Sequence, residues 1–535
     1  MQTVSENWKN AHKRTLLNES FVEVSLDIAD PDALKSAQSQ DNGAIYISNS
    51  SLITDGLDDS PIPYCTLEQN LWCLDGTRKA IPDGNYGDNC FVSDVLSDDN
   101  CIFSTKLPVI TIDFGEVFNK LIPGITITWS PTYGEFADSF IVTAYKGDTL
   151  VAEKEVRGNR SVESLVFVDI VGYDRIVIHI TKWCLPNHRA RVEDVLIGIR
   201  KVYGKAKLFD YSHTQSVDPV STSLPKVEIK FSIDNIEGEY NPYNPNGLAR
   251  YLVKRQEVKS RYGLKMDDGS IEWIKGGTFY LSEWYAKQNG ITADFTARDL
   301  LEFMSDIHYD AGYSTTYVRS LYELAESLLV SAGLPLNSDG SVKWYIDPSL
   351  RDDKFMTKAP LPEDTYANCL QLIANAGECV LYQDRDGILH IEPLKENVAD
   401  YKIGKFNSYT KSEITLSKPI KQVKVKVYTY DANRGSTTTE VTYPESGSIN
   451  EVGEVITIDN PLITDITRAR SVASWLATHL EHRMSLDSSW RADVRLDALD
   501  IVTNENDYDT NQVRMTELTY KYNGAFRGTG KGKVI

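Results

Sequence analysis

Along most of this chain apolar residues alternate with polar ones, the period of two that marks strands half buried against a core. Phe21, Val22, Val24, Leu26 and Ile28 form a short first strand within residues 1–38. From Asp30 to Ser60 the sequence turns polar and rich in Ser, Asn and Asp, which marks a boundary. Short strands then follow at even spacing: Val109–Phe114, Ile125–Trp129, Phe140–Tyr145, Leu150–Val156, Ser164–Val168, Arg175–Ile180 and Val192–Arg200. That rhythm predicts a β-sandwich of jelly-roll type over 39–203, with its loops gathered at the two ends. A second β block, 204–304, carries the extended segment Lys226–Ile233 and the hairpin Ile271–Ile274 to Thr278–Trp284. Asp268-Gly269, Gly276-Gly277, Asn289-Gly290 and Asp386-Gly387 supply hairpin turns.

The period then changes. Leu321, Leu324, Ala325, Leu328 and Leu329 recur as the stripe of an amphipathic helix, and Tyr366, Leu370 and Ile373 make a second. With the hairpin Cys379–Tyr382 and Ile388–Ile391, residues 305–412 read as an α+β middle region inside a mainly β protein. Strands return over 413–535, where Val423, Val425 and Val427 lie opposite Lys424, Lys426 and Tyr428. A helix is predicted over Asp465–Met484, its start capped by the Asp465 carboxylate. Trp490, Ala492, Val494 and Leu496 alternate with Arg491, Asp493, Arg495 and Asp497, predicting a strand buried on one face. Gly524 to Ile535 reads as a Gly-rich tail.

A length of 535 residues predicts three or four domains, and 41% hydrophobic with 25% charged residues excludes a disordered or fibrous chain. Net charge −20 and a pI near 4.9 argue against a surface that embraces nucleic acid or an anionic membrane. A neutral partner, a glycan or another protein, suits this balance better. No apolar run reaches the ~18 residues of a membrane span. The polar stretch Met1 to Leu16 lacks the apolar core of a secretory signal, so assembly in a bacterial cytoplasm is expected. Cys65, Cys73, Cys90 and Cys101 cluster without a CxxC pair, and they read as thiols instead of a zinc site.

Catalytic signatures are missing: no GxSxG, Walker A, HExxH or dinucleotide glycine motif occurs. Neither a catalytic residue nor a metal or cofactor is therefore expected. His479 and His482 share a helix but lack a third ligand and read as solvent-facing. Asp58/Asp59, Asp98/Asp99, Asp267/Asp268 and Asp352/Asp353 fit solvated turns, as does Asp384-Arg385-Asp386. Cys369 or Cys379 with His390 is the only pair a wall hydrolase could use, and both cysteines sit where buried structural cysteines sit. Binding has the better case. The loop Trp183 to Arg189, with Asn187 and His188, mixes an apolar platform with planar donors, the mixture that sugar rings and hydroxyls require. Tyr133, Phe136, Asn159 and Arg160 lie in other loops that would converge on the same end.

Two stretches resemble the baseplate hub, or tail-associated, proteins of long-tailed bacteriophages and contractile injection particles. One runs from Gly276-Gly277-Thr278-Phe279-Tyr280-Leu281 through Thr292-Ala293-Asp294-Phe295-Thr296-Ala297-Arg298-Asp299-Leu300-Leu301. The other runs from Trp475-Leu476 through Asp497 and Asp500-Ile501-Val502 to Thr516-Glu517-Leu518 and Tyr522-Asn523-Gly524. Tyr64-Cys65-Thr66-Leu67-Glu68-Gln69-Asn70-Leu71-Trp72-Cys73-Leu74-Asp75-Gly76 is similar to a run in prophage tail proteins of Gram-positive bacteria. Residues 42–203 resemble discoidin-like or galactose-binding jelly rolls, with Arg189 to Gly198 as the closing strand.

The resemblance implies two hub-type β-barrels, 204–304 with the first strand and 413–535, and a carbohydrate-binding-like module, 39–203, inserted after that first strand. It implies a homotrimer that closes the tail tube of a virion and touches tail tube or distal tail proteins and the tape-measure protein. A host surface glycan would meet the inserted module, and phage DNA would pass through an acidic channel without specific binding. A free-standing lectin and a wall hydrolase with a targeting module are the alternatives.

Overall fold

A computed structural model describes residues 1–14, 18–54, 63–68, 70–80, 90–287, 290–308, 317–336 and 341–535. Asp58, Asp59, Gln69 and Asn289, singled out above, lie outside the described residues. The protein is mainly β, as the alternation predicts. Its centre is a 13-stranded sheet that runs from Gly198–Tyr203 through Ser20–Ala29, Glu257–Lys265, Ile271–Ala286, Thr292–Arg298, Lys226–Asp234 and Leu208–Ser216. The order continues through Thr510–Tyr522, Phe526–Val534 and Met484–Arg491 to Glu413–Leu416, and Ile501–Glu505, paired with Thr510–Tyr522, and Val398–Ile403 beside it complete the thirteen. Two closed barrels are not what forms. Leu208–Ser216 pairs with Thr510–Tyr522 from Tyr211↔Tyr522 to Ser216↔Glu517, which joins the two blocks edge to edge.

Three features of this sheet depart from the sequence reading. The polar N-terminus holds a helix, Glu6–Lys13, capped by Ser5, whose side chain accepts from Trp8 N. Trp8 is buried within the sheet's core beside Ala11 and Val24, a burial that stabilises by about 3 kcal/mol. The Gly-rich tail is an inner strand, Phe526–Val534, between two partners. Gly528, Gly530 and Gly532 face inward because a Cβ there would meet Trp490, Met515 and Val513 at 2.5–3.2 Å. Finally, the strand through Trp490 ends at Arg491, and residues 492–500 turn across the sheet. Their polar alternation is buried as well: Asp493, Arg495 and Asp500 are each at most 5% exposed.

The insert folds as expected into a β-sandwich. One sheet runs Gln38–Asp41, Val109–Phe118, Tyr173–Trp183, Ala137–Lys146 and Thr149–Arg157. Asp194–Leu196, Ile122–Thr128 and Glu163–Ile170 form a second, and Phe91–Leu96 pairs with Arg189–Val192. Phe140, Trp129, Ile127 and Ile178 lie in the shared core. The expected strand Val192–Arg200 breaks in two. Val195 stays with the sandwich, while Gly198–Tyr203 crosses to the central sheet and pairs with the first strand, Ala29↔Gly198 to Val24↔Tyr203. Gly198 has φ +154, and a Cβ there would lie 2.4 Å from Ile28 O.

Helices Leu321–Ser331 and Tyr366–Ala376 form as the leucine stripes predict, the first with a capping box between Ser320 and Glu323. Helix Ile466–Leu480 starts at its Asp465 cap. It packs Ala469, Val472, Ala473 and Leu476 toward Val423, Val425 and Val427 of the strand Ile420–Tyr430. Those residues share one core with Leu328, Leu370 and Ile373, so 420–480 belongs with the α+β middle and not with a second barrel. No helix among the described residues is long and apolar enough to cross a membrane.

Candidate functional site

Loops at one end of the sandwich do converge, but on a buried cluster of charges. Glu135 accepts from Trp183 Nε1 at 2.8 Å and lies 2.9 Å from His188 Nδ1 and 3.4 Å from Arg191 Nη1. Glu68 accepts from Arg191 Nη2 at 2.6 Å and from the Arg189 amide at 2.9 Å. Burial pushes the Glu68 carboxyl up, and Arg191, with the Arg189 amide and the Thr66 hydroxyl, more than reverses this, holding it below its ordinary value. The guanidinium of Arg191 also sits 4.7 Å from the centroid of the Tyr133 ring, and that of Arg78 sits 4.9 Å from it.

This packing redraws the glycan platform. Trp183 is fully buried against Trp129, so it offers no face to a sugar, and His188 is 4% exposed. The apolar-platform reading fails there because the indole N–H finds its partner inward, on Glu135. Phe136 is half-buried against the sandwich core, and Tyr133 is half-buried beneath its cations. Arg189 is committed to Ser93 O at 2.9 Å. Asn159 holds its own loop through Ala137 O and Ser161 O, while Asn187 is exposed and donates to Asp99 at 3.1 Å. Arg160 is exposed.

What the loop end does present was not selected from the sequence. The segment around Glu68 carries Leu67 at 91%, Leu74 at 68% and Trp72 at 55% exposure. Glu68 anchors that apolar loop to the sandwich through Arg191. Both residues lie in runs quoted above, yet a lone acid and a lone base 123 positions apart give no signal of pairing. Beside them Glu193 is pushed up to about 7 by burial, against weaker help from Ser130 and Thr132.

A second enclosed site lies where the middle region meets the central sheet. A cavity of about 180 Å³ is lined by His213, Gln215, Tyr382, Arg385 and Asp497, among others. Arg385, expected in a solvated turn, is 5% exposed. It donates to Lys275 O, Val494 O and Leu496 O at 2.8–2.9 Å and to Asp497 at 2.6 Å. Burial, aided by Arg385, drives His213 down to about 3, so it is neutral.

No described residues form a nucleophile or metal constellation. Burial pushes both Cys369 and Cys379 up to about 12, which leaves thiols. His390 pairs with Tyr382 in its hairpin and lies 2.9 Å from Asp384, away from the Cys379 end. Burial, with Arg514, His482 and Lys533, lowers His479, and a cationic setting of that kind opposes a metal ion. Among the described residues no three His, Cys, Asp or Glu side chains are placed to hold one.

No protein-family model matches the chain, and no curated protein does. Among solved structures it is similar to the 43 kDa tail protein of prophage MuSo2 from Shewanella oneidensis, at 11% identity and TM-score 0.42, over 62% of this chain and 94% of that one. It is similar at 11% identity and TM-score 0.41 to a tail protein from Neisseria meningitidis MC58, over 62% and 93%. An E. coli component of the type VI secretion system, described as structurally similar to phage T4 tail proteins, follows at 7% and 0.32, over 61% and 73%. Likeness this loose assigns no function.

Proposed function

We propose that this chain is a structural protein of a phage or phage-like tail tip: a hub that assembles as a homotrimer, closes the tail tube and carries an outboard module toward the host surface. One observation carries the reading. The two runs that resemble hub proteins contribute strands to opposite halves of a single 13-stranded sheet, whose halves are joined strand to strand, and the insert leaves and re-enters that sheet at its edge. This is a scaffold with a mounted module. Tail tube or distal tail proteins and the tape-measure protein are its proposed partners within the particle.

The module meets a host glycan, in this reading, through its loop end. Trp72 and Leu67 supply the exposed apolar contact, with Asn187 and Arg160 as the exposed polar groups of the set chosen from sequence. Light scattering on the full chain, with and without 30–197, tests the assembly. A mass of about three times that of the single chain in both, three times 60.1 kDa for the intact protein, supports the hub. A monomer in both, persisting with the tail-tube partner present, overturns it. Trp72→Ala in the full chain is expected to abolish retention on host cell walls if the loop end is the contact.

A further inference from the structure

The loop that carries Leu67 and Trp72 starts and ends on a cysteine, and both are free thiols. Cys65 is 8% exposed, and its backbone is fixed: its amide donates to Lys79 O at 2.7 Å, and the Lys79 amide donates to Pro63 O at 2.8 Å. Cys73 is half-buried and open to a small molecule. The chain between them folds back, with the Leu71 amide donating to Glu68 O at 3.1 Å and the Thr66 amide to Leu71 O at 3.4 Å. Glu68 and Leu71 are buried, while Leu67 and Trp72 are exposed. This turn brings the two cysteines together.

The Cys65 thiol donates to the carbonyl oxygen of Cys73 at 2.7 Å, and the Cys73 thiol donates to Asn70 O at 3.7 Å. A carbonyl oxygen lies about 2.4 Å from its own Cα, so the Cys65 sulfur is within about 5 Å of the Cys73 Cα. A cysteine side chain spans such a separation when it forms a disulfide. Other thiols are worse placed to exchange. Cys369 and Cys379 lie in the core of the middle region, and Cys184 takes a hydrogen bond from the Phe136 amide at 3.3 Å while burial pushes it up to about 11. Little thiolate forms at such sites, and the thiolate is the attacking species.

We propose that Cys65 and Cys73 are a modification site, a thiol pair that glutathione disulfide converts to a bond across the neck of the exposed loop. The Cys73 thiolate, the more accessible, attacks one sulfur of glutathione disulfide and releases a glutathione thiolate. Its side chain turns off Asn70 O, and the Cys65 thiolate then attacks the Cys73 sulfur and releases the second. Two cysteines are oxidised, one glutathione disulfide is reduced, and the two cysteine protons end on the two glutathiones. A reducing cytoplasm keeps the loop open and an oxidising exterior closes it. Closure holds Leu67 and Trp72 in place before any partner arrives, which lowers the ordering cost of contact. The inference stands apart from the glycan reading, because its readout is the bond itself.

Tryptic peptide 36–78 holds Cys65 and Cys73 and no other cysteine, which makes the test direct. The full chain, purified under reductant, is equilibrated with a glutathione buffer containing about 1 mM glutathione disulfide, then acid-quenched, alkylated in denaturant, digested and weighed by mass spectrometry. The expected product is peptide 36–78 lighter by two hydrogens and carrying no alkyl group. In the same buffer with guanidinium added, the ratio of bonded to reduced peptide should fall about tenfold, because the fold supplies the proximity. A peptide that carries alkyl groups or glutathione on both cysteines overturns the proposal, as does one joined to a peptide holding Cys90, Cys101 or Cys184. An equal ratio with and without guanidinium overturns it too, since any pair so close in sequence would then do the same.

Discussion

Arg385 and Arg191 are both buried arginines, one at the junction of the middle region with the central sheet and one at the sandwich's loop end. Arg385 spends its donors on three backbone carbonyls and a single carboxylate, Asp497. Arg191 faces two carboxylates, Glu68 and Glu135, from loops far apart in sequence. The first arrangement fixes backbone to backbone across a junction and leaves little to adjust. The second ties an exposed apolar loop to a packed module chiefly through side chains. Rigidity at the junction and an anchored, exposed loop at the tip therefore come from the same residue type, differing in what it is given to bind.

Removing each cation separates the two designs. Arg385→Met should cost the most, about 4 kcal/mol, because half-buried Asp497 loses its cation, keeping only Gln2 and Gln215 as side-chain donors, and three backbone carbonyls lose theirs. Guanidinium denaturation should then show the middle region melting ahead of the sheet. Arg191→Met should cost about 3 kcal/mol, confined to the sandwich, and this loss should shrink on acidification as Glu68 becomes protonated.

The pH dependence of the sandwich carries two opposing contributions. Glu68 is held below its ordinary value, so its contribution to stability is present above pH 4.5 and is lost as pH falls through the lower folded value. Glu193 is raised from 4.5 to about 7, so its contribution is present below 4.5 and is lost as pH rises to about 7. Glu193→Gln should remove that second loss, raising stability at pH 8 relative to pH 4 by about 1 kcal/mol after solvent screening, as read from thermal melts at the two pH values. The smallest effect belongs to Trp72→Ala, within about 0.5 kcal/mol by denaturant titration, since the ring is 55% exposed.

Alternation and helical stripes made the strands, the two middle helices and the sandwich legible from sequence, because each depends on a local period. Long-range pairing did not show. Whether Thr510–Tyr522 meets Leu208–Ser216 is decided by edges nearly 300 residues apart, and no local period records it. Glycine misled over 528–532, where it reads as a Gly-rich tail but serves as clearance for Trp490 and Met515. Polarity misled over 491–497, since Asp493 and Arg495 satisfy each other inside the protein. Trp183 misled the site for the converse reason: an aromatic in a loop-like sequence proved to be core.

The sandwich departs after Ala29 and returns at Gly198, and these two residues are direct cross-strand partners. Its two ends are thus about one strand spacing apart, ~5 Å, a gap a tight turn would bridge. Excision or replacement of 30–197 therefore leaves the register of the first strand untouched. Evolution can exchange what the protein carries outward without renegotiating the sheet that carries it, and an engineer can graft a foreign domain at the same seam.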